Sequence, residues 1–285
     1  MTECLTDRIR AAFRTAADPG YLVFTKSLNP SPRPAFGVRM PALRAIARDI
    51  IRAGDTRAYL DAVLGHLAAE PGTVLEFEWT TLGSIVLGRD RKIDPAAAEH
   101  YFAAWLGQMD GWGVCDCHGS EACFVRRAPF HWQGVLTEWI RALRADDPFS
   151  VWRARVALVV ILAHYKTPET LSWALDVLEE PAISRALSDF TAAGDMAMPG
   201  KTVNGQRIFS AGLGYYLSMA CAWCWTTLYA IDNAAVRNRL LSHTAAGGID
   251  ALTAGRVLGK VRDSFRISPE ETRRLKEELQ ALMHN

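Results

Sequence analysis

The sequence predicts an all-α protein. Three observations carry that expectation: apolar residues recur at helical spacing along most of the 285 residues, strand-like alternation is nowhere sustained, and the breaks between periodic stretches are short. With 49% hydrophobic and 22% charged residues, the chain can build one large or two small cores and lacks the composition of a disordered polymer.

The elements follow in order. From Phe36 to Gly54 a helix is expected, with Pro41 in its first turn, Leu43, Ile46, Ala47, Ile50 and Ile51 on one face, and Gly54 as its stop. The helical period returns through Tyr59, Leu60, Val63, Leu64 and Leu67, and again through Tyr101, Phe102, Trp105, Leu106 and Met109. It continues from Val151 to Tyr165 and from Leu171 to Leu178. A last helix opens on a capping box, Ser268 with Glu271, has Pro269 at its first position and carries Leu275, Leu279 and Leu282. Asn29-Pro30-Ser31-Pro32, Asp146-Asp147-Pro148 and Ala246-Gly247-Gly248 punctuate the chain, and none resembles a long flexible linker. Helix pairs of roughly forty residues therefore suggest one continuous array over residues 1–285, an α-α solenoid.

The polar start, Met1-Thr2-Glu3-Cys4, carries no basic segment followed by an apolar run, so a cytoplasmic location is expected. Ile208 to Ile231 contains no charged residue and is long enough to span a bilayer. It also holds Gly212, Gly214, Ser218, Thr226 and Thr227, which favours a helix buried all round and no membrane partner. The net charge of +1 is low for a nucleic-acid binder, although a local basic face is compatible with a neutral total. Six cysteines in that compartment should be reduced. Cys115, Cys117, His118 and Cys123, with Cys221 and Cys224, are conceivable zinc ligands, but their apolar helical settings point to small buried hydrophobes.

The densest unusual segment is Asp110-Gly111-Trp112-Gly113-Val114-Cys115-Asp116-Cys117-His118. On a helix, Trp112 and Asp116 are i, i+4 neighbours. A carboxylate beside an indole suits a cationic ligand, through opposite charge and cation–π attraction; a core tryptophan with a capping aspartate is the alternative. Arg44, Arg48 and Arg52 form a row that fits either a solvated surface or a DNA-facing one. Gly194 to Thr202 imitates a phosphate-binding loop but has one spacer too many and no preceding strand. His118 near Ser120 lacks the glycine pattern of a nucleophile elbow.

Four segments in order carry a resemblance. Gly37-Val38-Arg39-Met40-Pro41-Ala42-Leu43-Arg44 looks like a G-V-x-x-P-x-L-R signature, and Trp112 to Asp116 like W-D-x-x-D with Gly113 in place of the first aspartate. Val151 to Ala157 is similar to a W-x-R-R-x-A helix start interrupted by Ala154, and Met219 to Trp223 to a K-A-x-x-W helix. Together they resemble the bacterial DNA alkylation repair family of alkylpurine DNA glycosylase D. The resemblance implies a HEAT-like helical superhelix with a concave DNA-binding face, acting without metal or cofactor, as a monomer, on alkylated duplex DNA.

By position, that resemblance makes Asp116 the catalytic aspartate, Trp112 and Trp223 the indoles around the damaged nucleotide, and Arg155 a phosphate contact. Trp223 competes with a core role, since Trp225 is close by. Arg153, Lys260, Arg262 and Arg266 are further basic candidates for the DNA backbone. The implied reaction releases a cationic N3- or N7-alkylpurine. Such a base is already a good leaving group, so the protein has to stabilise an oxocarbenium-like sugar, which a carboxylate does, or position water as a general base. The competing expectation is a non-catalytic HEAT-like scaffold that binds nucleic acid or protein, with Asp116 structural.

Overall fold

The computed structural model describes residues 4–28, 33–197, 200–203, 206–209 and 212–283. Among these lie fifteen α-helices, two short 3-10 turns and one antiparallel strand pair, so the helical class holds with a small β addition. The chain gathers into two compact units.

The first unit contains α1 (Leu5–Ala16), α2 (Pro19–Leu28), α3 (Met40–Ala53), α4 (Thr56–Ala69), α5 (Phe77–Arg89), α6 (Pro95–Trp105) and α7 (Trp112–Glu121). The strand pair β1 (Gly200–Val203) and β2 (Gln206–Phe209) joins it, with β2 against α2. Strands of four residues are too short to register as alternation in the sequence, which is why they were not expected. Helix α5 is the axis of this unit. Every residue from Glu78 to Gly88 is buried, and α3, α4, α6 and α7 pack on it. Two glycines make that packing possible. A Cβ on Gly83 would fall 2.0 Å from the Trp105 ring, and one on Gly88 would fall 1.8 Å from the Glu121 carbonyl oxygen. Helix α3 starts at Met40, four residues after the expected Phe36, because Phe36 to Val38 are held out of the helix by contacts described below. Gly54 ends it with φ +81, as expected, and Leu43, Ala47 and Ile50 form its buried stripe.

The second unit contains α8 (Pro129–Arg141), α9 (Pro148–His164), α10 (Pro168–Leu178), α11 (Pro181–Ala192), α12 (Leu213–Tyr229), α13 (Asn233–Ala245), α14 (Ala251–Arg262) and α15 (Pro269–Met283). Its core is α9 against α12 against α14. Helix α9 begins at Pro148, three residues before the expected Val151 and inside the expected break, because Pro148 fits its first turn and the Asp147 carboxylate accepts the Phe149 N–H at 3.0 Å. Gly247, at φ +76, follows the end of α13. The uncharged run from Ile208 forms β2 through Phe209 and becomes helical only at Leu213. Among the described residues no helix is long and apolar enough to cross a membrane. In α15 half of the expected capping box forms. Ser268 Oγ accepts the Glu271 N–H at 3.2 Å, while the Glu271 carboxylate turns instead to Tyr229 (3.0 Å) and Arg237 (2.8 Å). Leu275 and Leu279 are buried, whereas Leu282 is exposed near the helix end. The Asn29 to Pro32 break and Met198-Pro199 of the loop-like segment lie outside the described residues.

Candidate functional site

The site in the first unit is built on α7. Trp112 is its first residue, Asp116 lies one turn on, and both are half-buried, so the predicted i, i+4 pair is present on a helix. The helix buries the opposite residues Val114, Cys115 and His118. His118 is a core group. Its Nε2 lies 3.1 Å from the Phe102 carbonyl and its Nδ1 2.9 Å from Ser84 Oγ, and its ring stacks on Phe102 at 4.1 Å. Because a carbonyl only accepts, Nε2 carries the hydrogen and Nδ1 is left to accept from the serine hydroxyl. Burial lowers its pKa to about 4, so the ring is neutral at pH 7.

Both ends of α7 are clamped. Before it, the buried Arg33 donates to Thr80 Oγ1 and the Gln108 carbonyl, each at 2.6 Å, and pairs with Asp110 at 3.0 Å. At its end the buried Glu121 takes a two-point contact from Arg89, at 2.5 and 3.2 Å, and a third bond from Arg44 at 3.1 Å. The arginine row on α3 therefore divides: Arg44 serves the fold, while Arg48 and Arg52 lie on the exposed face, Arg52 with Asp49 at 3.0 Å. The Arg89 pKa rises, chiefly through its hydrogen bonds to Glu121.

The Gly37-to-Arg44 segment also gains a physical account. Gly37 has φ +84, and a Cβ there would meet the Asp18 carbonyl and Leu22 at 2.7 Å, so only glycine fits. The N–H groups of Phe36, Gly37 and Val38 all donate to the fully buried Glu78 carboxylate, at 2.9, 2.8 and 3.0 Å. Sequence reasoning missed Glu78, Glu121 and Arg33. The one signal for Glu78 was an acid inside an otherwise apolar helix, a position that requires buried partners.

The second unit holds the other candidates. Arg155 is 5% exposed and donates through Nη1 to the Tyr216 carbonyl at 2.6 Å, which ties α9 to α12. Arg153 is half-buried with its guanidinium 5.4 Å from the Phe149 ring. On α12, Trp223 is 38% exposed while Trp225 is a core residue, which separates two tryptophans that the sequence left competing. Lys260 Nζ lies 5.9 Å from the Trp223 ring centre, so the structure brings two candidates together. Arg262 is exposed, with Nε 3.0 Å from Asp263. Burial raises the thiol pKa of Cys117 and Cys221 to about 12 and that of Cys224 as well, so all three are uncharged at pH 7, Cys221 and Cys224 in the core and Cys117 half-buried. Among the described residues no cluster of three or more His, Cys, Asp or Glu side chains is placed to hold a metal.

A mainly helical protein that carries a carboxylate and an indole one turn apart on one clamped helix is thus defined. A sequence profile described as DNA alkylation repair enzyme matches residues 9–186, more than half of the chain, and the protein belongs to that family. The matched stretch includes the Gly37 segment, Trp112, Asp116, Arg153 and Arg155; Trp223, Lys260 and Arg262 lie beyond it. No curated protein and no solved structure matches the chain.

Proposed function

We propose that the protein is a DNA glycosylase that excises cationic N3- or N7-alkylated purines from duplex DNA in base excision repair, without metal or cofactor. Its family membership supports DNA as the substrate. The observation that carries the reading is the Trp112–Asp116 pair, an indole and a carboxylate one turn apart on a helix clamped at both ends. The indole face attracts a cationic base. As the N-glycosidic bond breaks, its electron pair leaves with the base, which becomes neutral, and positive charge develops on the sugar. Asp116 stabilises that charge and orients the water that adds to C1′, whose proton passes to the carboxylate or to solvent. Clamping matters because a carboxylate stabilises a transient charge best when it need not reorganise.

In the second unit, Trp223 offers its exposed indole to the same class of ligand, and Arg153, Lys260 and Arg262 are assigned to DNA phosphates. Arg155, predicted as a phosphate contact, is better suited by its burial to holding the helix of Trp223 in place.

The test is release of methylated purines from alkylated duplex DNA by the wild type beside Asp116→Asn. The wild type should release N3- or N7-methylpurines, and the variant, still folded and still binding DNA, should be slower by about 100- to 1000-fold. Absence of release by both proteins, with DNA binding intact, would favour the scaffold reading.

A further inference from the structure

The turn that joins α14 to α15 carries Phe265, which is 94% exposed. The flanking apolar residues behave oppositely: Val261 and Ile267 are buried. The turn is ordered by its own backbone. Asp263 N–H bonds to the Gly259 carbonyl at 3.1 Å, Ser264 N–H to the Val261 carbonyl at 3.1 Å, and Arg266 N–H to Ser264 Oγ at 3.3 Å. Phe265 is therefore held out into water by a turn pinned at both ends.

Its surroundings are basic. The Arg266 guanidinium lies 5.6 Å from the Phe265 ring centre, and Lys260 and Arg262 occupy the last turn of α14, with Asp263 the one carboxylate between residues 260 and 266. Asp263 engages Arg262 through an ion pair exposed on both sides, which is weak and leaves the rest of the guanidinium to other acceptors. An aromatic ring interleaved with cations is the chemistry of nucleobase stacking combined with phosphate contact. A purely apolar protein surface would seat the ring but would leave these cations without acceptors.

We propose that this turn is a nucleic-acid contact in which Phe265 stacks on an unpaired base while Lys260, Arg262 and Arg266 hold the neighbouring phosphates. The inference rests on DNA being the ligand, and lies outside the family-matched residues.

The full chain is titrated with a duplex carrying one unpaired 2-aminopurine and with the same duplex fully paired. The wild type should prefer the unpaired site. Phe265→Ala should weaken binding to that DNA about tenfold, leave the paired duplex within about twofold, and abolish the change in 2-aminopurine emission, whereas Phe265→Tyr, which keeps a ring, should bind like the wild type. Arg262→Gln and Arg266→Gln should weaken both DNAs, each lowering the slope of log K against log salt by about 1. An unchanged affinity of Phe265→Ala for the unpaired site, or an equal loss on both duplexes, overturns the stacking role. If the stack behaves as expected but the wild type releases no alkylated base, the turn stands and the glycosylase reading falls. If the wild type binds neither DNA, both fall.

Discussion

Replacing Glu78 with glutamine tests how the first unit holds its glycine segment. The carboxylate is fully buried, with one oxygen accepting from Gly37 and Val38 and the other from Phe36, over distances of 2.8 to 3.0 Å. In Glu78→Gln the remaining carbonyl oxygen can serve Gly37 and Val38, and the new amide NH2 then faces the Phe36 N–H, donor against donor. Exchanging two charged acceptor bonds for neutral ones loses about 1 kcal/mol each, and the orphaned donor costs about 1 kcal/mol or more. Removing a buried charge recovers part of this through desolvation, so a net local loss of about 2 kcal/mol is expected. Amide hydrogen exchange reads that opening directly. The amides of Phe36, Gly37 and Val38 should exchange roughly thirtyfold faster in the variant, at 1.4 kcal/mol per factor of ten, while core amides of the second unit stay protected. Unchanged exchange at Gly37 and Val38 in a folded Glu78→Gln protein would refute the reasoning. It would place the restraint in the Asp18–Gly37 backbone bond instead.

Two further outcomes follow from the same packing. The His118 pKa is depressed from 6.5 to about 4 in the folded protein, so the unfolded chain takes up its proton first as pH falls. Stability should be complete above about pH 7 and decline between 6.5 and 4, by about 3 kcal/mol at most; urea unfolding from pH 7 to 5 should show a drop that His118→Gln lacks, and parallel profiles would refute it. Gly88→Ala places a Cβ 1.8 Å from a backbone oxygen of α7, so the helices must part, at a cost of about 1–3 kcal/mol or more. Gly54→Ala meets nothing within 4 Å and is strained only by its positive φ, costing about 1 kcal/mol. Thermal unfolding should order the two variants accordingly, and equal melting shifts would count against the α5–α7 contact.

Much of the helical content was legible in the sequence, and the reason is range. The apolar stripe of α3, its stop at Gly54 and the proline-led start of α15 are each written within a few residues, and local sterics and hydrogen bonding decide them. The Trp112–Asp116 pair was legible for the same reason, since i, i+4 adjacency follows once the segment is helical. The limits have the same origin. Extended strands of four residues leave little periodic signal, and Glu271 was free to choose between its own helix end and Tyr229, which lies 42 residues earlier in sequence.

What the sequence by itself determined is therefore the helical class, the positions of about half of the helices, the family and the adjacency of Trp112 and Asp116 on one helix. What only the tertiary structure decided is which charges are spent inside the fold. Arg44 and Arg48 are i, i+4 neighbours on one face of α3, yet Arg44 meets Glu121, 77 residues away, and Arg48 does not. Arg155 matches a DNA-contact motif but lies buried on the Tyr216 carbonyl, 61 residues on, while Trp223 and Phe265 emerge at the surface. Burial depends on neighbours brought together by packing, and a local pattern carries no information about a partner that distant.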